Sequence, residues 1–552
     1  MDNKVKFTLS WFDYILFFQT LALSTAVGIH FGIRDRHRDK KNDYLLGGKR
    51  MQVLPIAISL IASQISGITL LAVPGDVYKF GSNYIWLCLA IPIVCFINHH
   101  AFLPLFFQLQ LTSIYEYLNL RFDKKVQSLA SFLFILSVFL HNPIVIYIPA
   151  LIFTQVTGFD LHWTICVVSI VCVFYTTIGG FKAVVWTDAL QFVGMVVSIV
   201  VVLVLGTRTV GGFKNVIKEA STGRRLNIFD FNLDPTVRDG FWPVVVGGSA
   251  QYMSYICFNQ GYLQKYLALP TLRKARRALW IYCLGVTGII AASVFTGNIL
   301  YTRYSHCDPL ANKEVSRSDQ ILPYFVMEIS KNFLGLMGLF IAGILSAALS
   351  TLSATLNTIA AATYEDFILP YTNYFEKTNK ENLILKVIVV SSGLLCTVLA
   401  MFVDRMGGIL SFSIALNSIA GGPMLGLFVL GTVFPSSNSK GAFYGCISGI
   451  VFLTSVVIGN QWCSNQGLIE NFSLPTSTDR CDFLHPNITH SISKKYYASP
   501  APMLYKISFW YNTVMGLFVV IIMGLIISRL TKEDNFITER RLLYNFKSTS
   551  VQ

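Results

Sequence analysis

Charge is scarce in this chain: of 552 residues, 13% are Asp, Glu, Lys or Arg. Soluble domains average roughly 25%, so a water-solvated fold of this length is excluded. Acidic groups are fewest, with 29 Asp and Glu against 43 Lys and Arg. No Pro-, Ser- or Gly-rich linker divides the chain, which argues against a string of separate domains. No CxxC or Cys/His metal-ligand spacing occurs. HExxH, GxSxG and an aspartate pair inside an apolar stretch are also missing, and with them the usual marks of a membrane-embedded enzyme. What fills the sequence is apolar: 53% hydrophobic residues and a mean hydropathy of +0.56.

A helix needs about 20 apolar residues to cross a bilayer. On that ruler about thirteen spans are expected, at 14–32, 52–77, 84–109, 126–155, 161–178, 188–206, 241–266, 278–302, 333–361, 383–403, 407–433, 441–459 and 506–527. The predicted class is all-α and polytopic, with one transmembrane domain over 1–530 and a polar cytoplasmic tail over 531–552. Glu539-Arg-Arg-Leu-Leu543 in that tail has the form of an acidic dileucine sorting signal, or is simply an ordinary charged tail.

The net charge of +14 lies largely in short loops beside spans, notably Arg34, Arg36, Arg38, Lys40 and Lys41, and Arg273–Arg277. Such placement marks cytoplasmic loops rather than a groove for nucleic acid. It sets the N-terminus outside and the C-terminus inside, in a plasma-membrane protein. The long outer loop 207–240 carries basic residues too, but long loops weigh little in that rule.

Loop 460–505 is then external. It holds both N-x-S/T sequons of the chain, at Asn471 and Asn487, as expected of glycosylation sites. Eight of the eleven cysteines fall within spans, and Cys307, Cys463 and Cys481 fall in outer loops. A Cys463–Cys481 disulfide is expected there.

Polar side chains are costly inside lipid, so those in mid-span are functional candidates. In the second span Ser63, Ser66 and Thr69 surround Gly67, where a helix break would free backbone groups at mid-membrane. The bland alternative is a kinked, hydrated helix. In the ninth span Ser350 and Thr351 can flank one ion, with the carbonyl of Ala347 one turn earlier. Hydroxyls bonded back to their own helix would do the same without any ion.

Asp188 is either an N-terminal cap or an anion that helps attract a cation. Asn259, Gln260 and Gln264 add a polar stripe to the seventh span, while Lys265 is expected to snorkel to the surface. His99-His100 suits a crevice or packing better than a metal, for want of further ligands.

The run Gly179-Gly-Phe-Lys-Ala-Val-Val-Trp-Thr-Asp-Ala-Leu-Gln191 resembles the signature of the sodium/solute symporter family. Ala62-Ser-Gln-Ile-Ser-Gly67, Asn259-Gln260 and Ser350-Thr-Leu-Ser-Ala-Thr-Leu-Asn357 resemble its other motifs in the same order. The similarity runs from about residue 10 to about residue 530. Val73–Gly81 and Leu111–Phe122 are most similar to the branch of sodium-coupled monocarboxylate, multivitamin and iodide transporters. Gly67-Ile68 stands where the sugar-transporting members carry an acidic residue.

The resemblance implies a LeuT-like core of two inverted five-helix repeats, about 52–206 and 241–433, each opening with a broken helix. It implies a sodium site made by the carbonyls of Ala62, Ile65 and Ala347 and the hydroxyls of Ser350 and Thr351, with Asp188 behind. The solute would sit beside Gln64, Ser66, Thr69 and Asn259, although Gly67 replaces the alanine usual in that branch. The implied activity is sodium-coupled import of a small organic anion, with no cofactor beyond the coupling ion and with the bilayer as its other partner. A sodium-binding sensor or channel-like protein of the same fold is the alternative.

Overall fold

The computed structural model describes residues 9–34, 47–331, 333–369, 381–403, 409–469, 473–479, 481, 501–531 and 542–543. Asn471 and Asn487 lie outside them. Among the described residues all regular structure is helical. The elements that shape the centre begin with α1 (Trp11–Arg34), α2 (Val53–Gln64), α3 (Gly67–Phe80) and α4 (Leu87–Ile97). They continue with α5 (Lys124–Thr157), α6 (Leu161–Thr209), α7 (Gly248–Phe258), α8 (Gln260–Leu267) and α9 (Leu272–Tyr304). The last five are α10 (Leu336–Thr363), α11 (Glu381–Ala400), α12 (Ile409–Val433), α13 (Ser439–Asn465) and α14 (Asn512–Leu530).

Ten helices among the described residues are long and apolar enough to cross a membrane, or eleven with α2 and α3 taken as one bent span. The expected count of about thirteen is not reached on that criterion, for two reasons. The 49 residues of α6 form one helix by this measure, yet two helices meet within it at Gly180 (φ 60°, ψ −162°). That backbone conformation is open essentially to glycine alone. At about 1.5 Å per residue α6 is roughly 74 Å long, over twice the hydrocarbon core, so it contains both expected spans 161–178 and 188–206. Helices α7 and α8, at 11 and 8 residues, are each too short to count.

Burial shows where the centre lies. The most apolar window of Leu336–Ile368, which holds α10, is 94% buried, against 22% for α1 at the periphery. A helix apolar on all sides and covered on all sides is the axis of the bundle. Its polar residues therefore face protein, not lipid.

Two features of the loops depart from expectation. The disulfide joins Cys307 to Cys481, and Cys463 is a free, buried thiol. Cys463 belongs to the last turns of α13 and points into the bundle. Segment 473–481 instead lies on the loop after α9: Asp308 N donates to Ser477 O at 2.9 Å, and Thr476 Oγ1 donates to Asp308 Oδ2 at 2.7 Å. Arg225, in the long loop after α6, is buried, donates to the carbonyls of Tyr78, Gly223 and Pro475, and stacks on the Tyr301 ring at 3.7 Å. That basic residue anchors the loop and says nothing about its side of the membrane.

The tail also touches the bundle. Tyr117 Oη donates to the carbonyl of the buried Leu542 at 2.9 Å.

Candidate functional site

Helices α2 and α3 meet at 52° across Ile65 and Ser66, both in extended conformation. Ser66 Oγ accepts from Ile68 N at 3.2 Å and so caps α3. A Cβ on Gly67 would stand 3.0 Å from Ile148 Cγ2 and 3.5 Å from Ile344 Cγ2, so the break packs tightly between α5 and α10. The second break lies at Asn259, also extended, whose Oδ1 accepts from Gly261 N at 2.8 Å to cap α8.

A helix end leaves its last carbonyls without partners, and in an apolar interior such groups must be met by something. At the end of α2 the carbonyl of Ser63 accepts from Thr351 Oγ1 of α10 at 3.5 Å. The carbonyls of Ala62 and Ile65 accept no hydrogen bond among the described residues, and both residues are 1% exposed. Thr351 Oγ1 also donates to the Ala347 carbonyl at 3.0 Å. Thr351 Oγ1 thus ties the break to the middle of α10, joining the oxygens of Ser63 and Ala347 through its own.

Asp188 lies beside it, fully buried and about two turns beyond Gly180. It is inside a helix, so the capping alternative fails. Its carboxylate accepts from Ser59 Oγ at 2.5 Å, Ser350 Oγ at 2.7 Å and Ser63 Oγ at 3.3 Å. A fourth donor is Lys265 Nζ at 3.4 Å.

Lys265 does not snorkel. Its side chain is 5% exposed, and its ammonium spends its remaining protons on Ser63 Oγ at 2.5 Å and Ser59 O at 2.9 Å. One cation and one anion cancel here. A further cation would be met by neutral carbonyl and hydroxyl oxygens.

Gln64, Ser66, Thr69 and Asn259 line one central cavity of about 160 Å³, together with Ser63, Thr351 and Lys265. Such a volume has room for roughly ten water-sized groups. Gln64 Oε1 accepts from Tyr262 Oη. Ala62, Ile65, Ala347, Ser350 and Asp188 lie behind the cavity wall and do not line it. No Asp or Glu lines the cavity among the described residues.

Elsewhere, Ser353 Oγ bonds back to Ser350 O at 3.2 Å, and Thr355 Oγ1 pairs with Asn142 Oδ1 at 3.1 Å. His99 Nδ1 accepts from Trp280 Nε1 at 3.0 Å, and His100 Nδ1 lies 3.0 Å from the Phe96 carbonyl.

Sequence reasoning missed Ser59 and Lys265. Ser59 stands one helical turn before Ser63, which places both on one face and was a usable signal. Lys265 was misjudged because the second break turns α8 inward. His141, also missed, is a lone imidazole in an apolar span that lines the cavity.

This arrangement, a buried set of neutral oxygens at a helix break opening on a polar cavity, has counterparts among known proteins. The profile of the sodium:solute symporter family matches residues 44–449. The chain belongs to the sodium:solute symporter family. Sodium-coupled monocarboxylate transporter 2 of Mus musculus is 38% identical over 531 residues, 96% of this chain and 85% of the relative. Sodium-coupled monocarboxylate transporter 1 of Homo sapiens is 36% identical, over 94% of this chain and 86% of the relative. The sodium/iodide cotransporter of Homo sapiens is 34% identical, over 95% and 84%.

In structure the symporter is similar to a Na+-coupled sialic acid symporter in a substrate-bound outward-open state. The TM-score is 0.76 at 23% identity, over 94% of this chain and 98% of that one, which shows a shared LeuT-like fold. Family membership makes the symporter a transporter, not an enzyme, and its function sodium-coupled solute uptake.

Proposed function

We propose that the symporter imports a small organic anion, of monocarboxylate or vitamin type, across the plasma membrane. Sodium sits between the α2–α3 break and α10, on the carbonyls of Ala62, Ile65 and Ala347 and the hydroxyls of Ser350 and Thr351. Asp188, its charge matched by Lys265, stands behind and orients the hydroxyls of Ser350 and Ser63. The observation that carries this reading is the pair of buried, unpartnered carbonyls at Ala62 and Ile65, beside the contact of Thr351 with Ser63. A desolvated sodium ion needs such oxygens, and such oxygens need a cation.

The solute lies in the cavity beside Gln64, Ser66, Thr69 and Asn259. The N-terminal ends of α3 and α8 begin at the two breaks and bring their positive dipole ends there. The cavity's lack of acidic side chains also favours an anion. The three relatives described above are named for monocarboxylates or iodide, all anions. Sodium bound between α2 and α10 favours an outward-open state, and the solute then permits closure and inward release. Each net charge moved inward gains about 2.3 kcal/mol per 100 mV.

The orientation, N-terminus outside and C-terminus inside, is supported by α9. Arg273, Arg276 and Arg277 stand at one end of that helix and the Cys307–Cys481 disulfide follows the other. Basic loops stay in the cytoplasm and disulfides persist outside. Glycosidase treatment of wild type and of the Asn471→Gln/Asn487→Gln protein tests this. A mobility shift in the wild type alone is expected, and none in either would contradict it.

The solute class is tested by uptake of radiolabelled lactate, nicotinate, butyrate, biotin, pantothenate, iodide and glucose, with and without sodium. Sodium-dependent uptake of at least one organic anion and none of glucose is expected. Glucose uptake that lactate, nicotinate and biotin fail to inhibit would overturn the assignment.

A further inference from the structure

His141 stands in α5 and lines the central cavity opposite no acidic group. Its Nδ1 is 3.2 Å from Asn417 Nδ2 and 3.4 Å from Ser413 Oγ, both carried by α12. An amide nitrogen only donates, so Nδ1 is the bare acceptor and the ring proton resides on Nε2. That Nε2–H has no hydrogen-bond partner among the described residues, and it is not among the polar atoms sealed from the cavity. The neighbouring Asn142 faces elsewhere, exchanging hydrogen bonds with Thr355 of α10 at 2.9 and 3.1 Å.

An imidazole that served only to tie α5 to α12 would need its Nδ1 side alone. The opposite N–H plays no part in that tie and faces the cavity, where a solute oxygen can take the place of water. The rest of the cavity sharpens the point. Its one cation among the described residues, Lys265, is spent on Ser59, Ser63 and Asp188. An anion entering the cavity must therefore be met by neutral donors. Asn259 offers a second: its Oδ1 faces Gly261 N, and its Nδ2 has no partner among the described residues.

We propose that His141 donates its Nε2–H to the anionic group of the solute, held in the donating tautomer by Asn417 and Ser413. This rests on the reading of the solute as an anion, a carboxylate in the first instance. His141 and Asn259 supply one N–H each to the two oxygens of a carboxylate. Discrimination then follows from donor geometry, and a solute lacking the anionic group leaves two cavity donors unpaired.

The test is the half-saturating concentration of radiolabelled lactate and nicotinate in cells carrying wild type, His141→Phe, His141→Ala or His141→Gln. Surface biotinylation and sodium half-saturation at saturating solute are measured alongside. Removal of a hydrogen bond to a charged group should raise half-saturation roughly ten- to a hundred-fold in the Phe and Ala proteins. Gln keeps a neutral N–H and should recover part of the loss. Asn417→Ala, which frees the ring to change tautomer, should shift half-saturation less than His141→Ala. Sodium half-saturation should stay within about two-fold, which a merely structural lesion would not respect.

Normal surface level with unchanged solute half-saturation in the Phe protein, which preserves the ring's packing, would overturn the proposal. Uptake by wild type of iodide and of no carboxylate would instead refute the carboxylate class. The His141 assignment is then decided by the same comparison made with iodide.

Discussion

The cation cluster and the cavity wall meet at one broken helix yet are built on opposite rules. Around Asp188 the polar side chains are spent on one another: Ser59, Ser63, Ser350 and Lys265 all converge on one fully buried carboxylate, and only Ser63 and Lys265 also reach the cavity. On the wall, His141 and Asn259 each satisfy one side of the polar group and present the other to the cavity. Ser63 belongs to both regions, bonded to Asp188 and Lys265 while it lines the cavity, whereas Gln64, its neighbour in sequence, belongs to the second alone. A sealed network of charges can fix the shape of an ion site but cannot vary. Half-satisfied neutral donors can be exchanged one at a time, and the proposal places the choice of solute there.

The comparison predicts its largest effect for Asp188→Ala. That change leaves the Lys265 ammonium buried without its counter-charge, a loss of about 3–5 kcal/mol. The protein should fail to reach the cell surface, as read by biotinylation. Asp188→Ala combined with Lys265→Met removes both charges and should recover surface level. A single variant at wild-type level would show that the cluster is less sealed than its hydrogen bonds indicate.

A control lies outside both regions. Cys307→Ser should lower the thermal stability of the solubilised protein by about 2–4 kcal/mol, whereas Cys463→Ser should cost under about 1 kcal/mol. The larger loss in Cys463→Ser would put the disulfide back on Cys463. On the cavity wall, Asn259→Ala should raise solute half-saturation about ten-fold, through the lost N–H, with less change in sodium half-saturation. A shift in sodium alone would move Asn259 from the second region to the first.

The parts legible in sequence were those whose physics is local. Ser66-Gly67 announces a helix break because a small cap and a glycine tolerate one, and the break is where it was expected. The apolar runs were enough to identify a polytopic helical protein. Gly179-Gly180 stands between two expected spans, but that two helices meet there without an intervening loop depends on backbone conformation.

The rest required partners distant in sequence. Cys307 and Cys481 are 174 residues apart, and only the packing of segment 473–481 on the loop after α9 joins them. Lys265 was read as a surface residue because a lysine near a span end ordinarily reaches water. The turn at Asn259 sends it to Asp188, 77 residues away, instead. His141 carried a local signal, a lone polar ring in an apolar run, but its tautomer is set by Asn417, 276 residues on.

The central claim is that sodium binds where the α2–α3 break meets α10, and Thr351 decides it. Its hydroxyl bonds back to Ala347 O at 3.0 Å, as a packing threonine would, but also reaches across the break to Ser63 O at 3.5 Å. The measurement is the sodium activation curve of solute uptake for Thr351→Ala, normalised to surface level. Alanine is the better helix former, so α10 should persist. Loss of one oxygen from the ion should cost on the order of 1.5–3 kcal/mol and raise half-saturating sodium roughly ten- to a hundred-fold. Ser350→Ala should follow it, and Ser353→Ala, whose hydroxyl bonds back to Ser350 O, should do less. An unchanged sodium curve for Thr351→Ala at normal surface level would contradict the account and remove the ion from α10.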